Sequence, residues 1–440
     1  MRKQVRIFLL CCLAVLLATS AQARLAAQRS VLGNGLALLT SEQRALPMVT
    51  FNLLLKAGSR YDSQGEEGLA NLTARLLTYG TKKRTALEIS ETLDFIGANL
   101  STGCSEELAT ISLTLLKKHL PIGLELLAEI LTESVFSQEE IERQKQMVIA
   151  SIKGKGEDPG EIAQMKFMEA LYPRSPYGRP VEGTEASVKG IPREDLSKFY
   201  ERYYRPNRAI LAVVGDVSHQ EMLAGLENAF KRWKGGTSDR EVWPAPAAGP
   251  ADFIRVDKKI TQANIVIGHE GVTRGHPDYY AIQVMSYILG GGGFSSRLME
   301  SIRNQRGLAY SVYSSFYSEK DVGTFGVTMQ TKNQTAEEAI RITKEEIRRL
   351  REEGVSEEEL AAAKSYLTGS FPLRLDTNAR IAGFLSHMDY FELGLNYVDR
   401  YPDLIGAVSL EDVRRVAERY VRPERLIVVV VADQEKAALK

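Results

Sequence analysis

This chain repeats itself, and that feature constrains its fold more than any other. Residues 195–216, DLSKFYERYYRPNRAILAVVGD, align without a gap on residues 412–433, DVRRVAERYVRPERLIVVVVAD, at an offset of 217. Asp195 meets Asp412, Tyr203 meets Tyr420, Arg205-Pro206 meets Arg422-Pro423, Arg208 meets Arg425 and Asp216 meets Asp433. Both copies read as an amphipathic helix, a proline break and an apolar strand. FSQEEIERQKQMVIASI (136–152) and VSEEELAAAKSYLTGSF (355–371) both read as helices with acidic first turns, capped by Ser137 and Ser356. Each unit opens on a strand-like run, MVTFNLLLKAGS or ANIVIGHEG. Residues 235–250, GGTSDREVWPAPAAGP, lack periodicity and read as a linker. The pattern predicts an α+β protein of two tandem domains, residues 28–234 and 251–440, mixing antiparallel-looking strands with helices. Two similar domains on one linker commonly enclose a cleft.

Charge excludes some classes of partner. Acids and bases balance at 56 each, so neither a nucleic-acid partner nor a polybasic membrane patch is expected. The N-terminus reads as a leader. Arg2, Lys3 and Arg6 precede the apolar run IFLLCCLAVLLA, and Ala21-Gln22-Ala23 offers a small-x-small cleavage site. The alternative is an uncleaved anchor, but the run has 12 residues, where a spanning helix needs about 20. The expectation is a signal peptide over residues 1–23 and a periplasmic or secreted protein with no membrane segment after cleavage. Cys104 is then the only cysteine left, with no internal disulfide partner, and reads as a small buried hydrophobe.

Motifs of familiar chemistry are scarce. The five histidines form no ligand pair at helical or turn spacing. His269 and His276, in HEGVTRGHPD, read as a strand end and a proline turn with exposed side chains. Gly290, Gly291, Gly292 and Gly293 follow a helix-like segment, which fits no phosphate loop. Alone they read as a flexible turn that also allows close backbone approach to a ligand. GLANLTARLLTYGT (68–81) reads as a helix closed by a glycine turn, with Asn71 and Arg75 four apart on one face and Ala74 beside them.

The segment LGGGGFSSRLMESIRNQRGLAYSVYSSF (289–316) resembles the C-terminal domain of the M16 peptidases, the insulinase, pitrilysin and mitochondrial-processing-peptidase family. YGTKKRTALEISETLDFIGANLS (79–101) resembles that family's N-terminal domain, and the likeness spans nearly the whole mature chain. It implies two tandem homologous domains, each a mainly antiparallel sheet flanked by helices. In the family an arginine and a tyrosine seven positions apart reach bound peptide, and here these are Arg303 and Tyr310. An arginine fork can hold a carbonyl or carboxylate, and a tyrosine hydroxyl can donate to an oxyanion. Spacing alone favours a surface arginine and a half-buried strand tyrosine; the surrounding match favours the functional reading.

The same resemblance places a degenerate metal site. Active members carry His-x-x-Glu-His, in which two histidines bind zinc and the glutamate is the base. Those places fall on Asn71, Ala74 and Arg75. The third ligand, a glutamate on a later helix, falls on Ser151, and a second glutamate of that helix falls on Gln144. A slipped register restores nothing, because no histidine precedes His119. Arg75 also puts a positive charge where the cation would sit. The family includes paired subunits of which one lacks zinc. The resemblance therefore implies a non-catalytic subunit, with no metal or cofactor of its own. It would pair with a homologous zinc-bearing subunit and hold peptide through Arg303 and Tyr310. The alternative is a binding or assembly protein without proteolytic function on the same duplicated fold.

Overall fold

The computed structural model describes residues 25–236 and 247–439. The leader expected over residues 1–23, and residues 237–246 of the expected linker, lie outside the described residues. The first sheet contains β1 (Ala27–Val31), β2 (Ala37–Glu42), β3 (Met48–Leu55), β4 (Asn99–Cys104), β5 (Ala109–Leu116) and β6 (Ala209–Gly215). The second contains β7 (Asp252–Asp257), β8 (Gln262–Glu270), β9 (Ala309–Ser318), β10 (Gly323–Lys332) and β11 (Ile427–Ala432). Their spatial orders are β1-β2-β6-β3-β5-β4 and β7-β11-β8-β10-β9. Apart from β1 the two orders are the same, so the repeat read from one helix and strand extends to the whole sheet. β2–β6 and β7–β11 pair in parallel and every other neighbour is antiparallel.

The repeated residues do the same work in both units. Pro206 and Pro423 each open a single tight turn, where a fixed φ helps and a missing N–H costs nothing. Arg208 then donates to the Lys56 carbonyl at 2.7 Å, and Arg425 pairs with Glu270 at 2.9 Å. Each arginine thus ties the start of β6 or β11 to the end of the neighbouring β3 or β8. Ser137 and Ser356 cap their helices by accepting from the Glu140 and Glu359 amides, as their sequence positions predict.

Strand alternation divides each sheet into two faces. Val49, Phe51, Leu53, Ile111 and Leu113 point to the first unit's helices, and Ile265, Ile267, Phe325 and Val327 to the second's. The opposite faces are covered by exchange. The Pro159–Leu171 helix of the first unit packs on β8 and β11 of the second, burying Ala163, Phe167 and Leu171 against Val266, Ile427, Val429 and Val431. The Asn378–Tyr390 helix of the second unit packs on β3 and β6 of the first. There Tyr390 meets Leu54 and Leu108, and Ser386 donates to Asn52 at 2.6 Å. These helices start 219 residues apart, within two of the repeat offset, so the exchange is reciprocal. A buried polar knot fastens the same junction. The Glu107 carboxylate accepts from Tyr177 and Tyr390 hydroxyls, each at 2.6 Å, and Arg60 pairs with Asp321 at 2.7 Å.

Beyond the exchanged helices the same faces are polar. Asn52 donates to Ser112 at 2.9 Å and Thr50 bonds Thr114 at 3.1 Å. In the second sheet Tyr313 pairs with Thr328 across β9 and β10, and Gln330 pairs with Asn264 across β10 and β8. β4 and β9 are the outer strands at these polar ends, each with one edge unpaired among the described residues.

Candidate functional site

The helix read at residues 68–81 spans Leu69–Leu76, shorter than its sequence window, and Gly80 turns the chain after it with φ 128°. Asp62 holds its start, accepting from the Gly68 and Ala70 amides at 2.9 Å each. Burial pushes the Asp62 carboxyl up to about 7, against the opposing pull of those two amides and of Arg179. The helix packs on β4 and on the Gln138–Glu157 helix, which carries Gln144 and Ser151. Asn71 is 8% exposed and Ala74 1%. Arg75 is half-buried, and its Nε donates to the Asn71 oxygen at 3.2 Å. On the packed helix Gln144 is buried and Ser151 donates to Glu182 at 3.5 Å, while Lys155 pairs with Glu182 at 3.3 Å.

Zinc does not fit these side chains. An amide, a methyl, a guanidinium and a hydroxyl include neither imidazole nor thiolate, and Arg75 is cationic. Among the described residues no cluster of three or more His, Cys, Asp or Glu could hold a metal ion.

In the second unit the glycine run is only partly the flexible turn its composition predicts. Tyr287–Gly291 continues the preceding helix as a wide turn, closed by the Gly292 amide on the Tyr287 carbonyl at 2.8 Å. Gly290 is buried against β9, where an added Cβ would lie 2.5 Å from the Ser314 amide. It is a packing position, and the run turns at Gly292 and Gly293, the latter at φ 57°. Gly291 lies within the wide turn. A second wide turn, Met299–Asn304, carries Arg303.

The structure brings Arg303 and Tyr310 together. The Arg303 guanidinium lies 4.8 Å from the Tyr310 ring and 4.6 Å from that of Phe294. Tyr310 is 83% exposed and Phe294 67%, so the half-buried tyrosine that spacing favours is not what forms. No carboxylate pairs with Arg303 among the described residues. A cation held between two rings keeps its fork directed and its charge unneutralised. Tyr313 and Tyr317 continue the exposed aromatic row along β9. Phe294, Tyr313 and Tyr317 were not singled out from the sequence. A bulky apolar residue straight after the glycines, and tyrosines alternating with serines on one strand, were the available signals.

Two other readings change. His269 is fully buried at the end of β8, not exposed. Its Nδ1–H donates to the Glu270 carbonyl at 2.6 Å, its Nε2 accepts from the Arg422 amide at 3.1 Å, and burial lowers its pKa to about 4. This histidine is a neutral structural link. Cys104 is partly exposed at the residue level, and burial of its thiol pushes the pKa far up, leaving it unreactive.

Comparisons with known proteins agree along the chain. The profile described as "Insulinase (Peptidase family M16)" matches residues 38–185, and "Peptidase M16 inactive domain" matches residues 190–367. An uncharacterized zinc protease of Rickettsia felis is 32% identical over 77% of this chain and 81% of its own length. A Helicobacter pylori protein named as a non-peptidase homolog is 27% identical over 91% of this chain and 92% of its own. The crystal structure of a peptidase M16 inactive domain from Pseudomonas fluorescens superposes with a TM-score of 0.88 at 27% identity, covering 93% of this chain and 98% of that one.

Proposed function

The chain belongs to the M16 peptidase family, and from that premise we propose that it is the non-catalytic subunit of a heteromeric zinc endopeptidase. It is exported through residues 1–23, works in the periplasm, and closes a chamber with a homologue that carries His-x-x-Glu-His. Arg303 and Tyr310 reach a peptide lying in the partner's active site. Arg303 holds a peptide carbonyl or carboxylate, and the Tyr310 hydroxyl donates to the oxyanion formed there.

The observation that carries this reading is an asymmetry. The metal helix has lost its whole ligand set, while Arg303 stands directed and uncompensated between Phe294 and Tyr310. A chain retaining only its fold would have no need to hold an exposed cation this way. The name of the Helicobacter pylori relative, a non-peptidase homolog, fits a role without catalysis in this chain.

Purified alone, the protein should bind no stoichiometric zinc and cleave no peptide. Reconstituted with its zinc-bearing homologue, Arg303→Ala and Tyr310→Phe should each lower kcat/KM by about tenfold or more, the order expected for losing a transition-state donor. Both variants should unfold at the wild-type temperature. Full activity in both would remove the role assigned to the pair, and a pull-down that recovers no zinc peptidase would favour an assembly protein.

A further inference from the structure

Arg75 invites a second question. The Arg60 guanidinium pairs with Asp321 at 2.7 Å and Arg179 pairs with Glu67 at 3.3 Å. Arg75 is half-buried in the same region, yet no carboxylate pairs with it among the described residues. On the helix packed against it, Lys155 and Ser151 engage Glu182. A half-buried guanidinium with no internal counter-ion keeps donors available to an anion from outside the chain.

Its orientation is set. Asn71, itself buried, takes the Nε–H at 3.2 Å, one helical turn away. That contact engages Nε and leaves the two Nη groups without a partner among the described residues. Two coplanar Nη donors match the two oxygens of a carboxylate. The helix that carries Arg75 packs on β4, whose outer edge is unpaired among the described residues. An extended peptide can add to such an edge through main-chain bonds.

We propose that the former metal position is a carboxylate site. Arg75, held by Asn71, takes the carboxylate of a peptide whose backbone lies along β4. The substitution then exchanges one cation for another: the fixed charge of a metal becomes the fixed charge of a guanidinium, which binds an anion without activating water. Two sources share this chemistry, a peptide's C-terminus and an aspartate or glutamate side chain. From the preceding reading this takes only that the ligand is a peptide.

The test uses the full mature chain without its partner, so it is independent of peptidase activity. Three probes carrying an uncharged boron-dipyrromethene label are compared by anisotropy at low salt: penta-alanine as the free acid, penta-alanine amide, and an Ala-Ala-Glu-Ala-Ala amide. At least one carboxylate-bearing probe should bind about tenfold or more tightly than penta-alanine amide, and which one does so identifies the source. Arg75→Met should abolish that preference, and Arg75→Lys should keep part of it. Circular dichroism verifies that the variants fold. Equal binding of all three probes, no binding of any, or a preference surviving in Arg75→Met overturns the proposal. If Arg303→Ala leaves the activity of the reconstituted pair unchanged, only the preceding reading fails.

Discussion

At His269 the fold sets a protonation state. The buried ring donates through Nδ1 and accepts through Nε2, which only the neutral tautomer can do at once. Its folded pKa of about 4 lies below the unfolded 6.5, so the unfolded chain takes up the proton first. The contribution is complete above pH 6.5 and is lost as pH falls toward 4, by about 3 kcal/mol. Asp62 and Glu319, both raised to about 7 by burial, titrate with the opposite sign over much of the same window. The measurement is therefore a difference: between pH 7 and pH 4, wild type should lose about 3 kcal/mol more than His269→Gln in urea unfolding. Parallel pH profiles would show that the ring is not buried neutral. The same residue shows what sequence leaves open. A histidine at a strand end reads as exposed, but the Phe325 ring, 4.9 Å away, and the backbone of Arg422, 153 positions away, cover it.

Among the elements, the glycine run and the metal helix behave differently. The helix at 69–76 was legible as a degenerate metal site because the family resemblance over residues 79–101 supplies the register that sets Asn71, Ala74 and Arg75 on the motif's places. Gly290 was not, because its constraint comes from β9, which approaches to within the space of a Cβ. Gly290→Ala should cost about 1–3 kcal/mol by overpacking. Chemical denaturation would check this, and an unchanged midpoint would mean the run is only a flexible connector. Tyr310 is a related case. Helix or strand could be read from its neighbours, but its exposure depends on β9 being an edge and on Phe294 and Arg303 arriving beside it.

For the whole molecule the exchanged helices matter most. Phe167 comes from the first unit and is buried in the second. Phe167→Ala should cost about 3–5 kcal/mol. Because each unit covers the other, the loss should appear in one unfolding transition shared by both halves, with calorimetric and van't Hoff enthalpies that agree. Two resolved calorimetric peaks would show that the halves are independent. The missing metal ligands follow from the family resemblance, which sets their register; the duplication, the α+β class and the capped helices follow from sequence alone. Each is a matter of periodicity, of repeat spacing or of which chemical groups are present. The reciprocal exchange, the Glu107 knot and the aromatic clamp on Arg303 were decided only by the tertiary structure. They join residues from tens to hundreds of positions apart or depend on which strand forms an edge, and no local pattern encodes either.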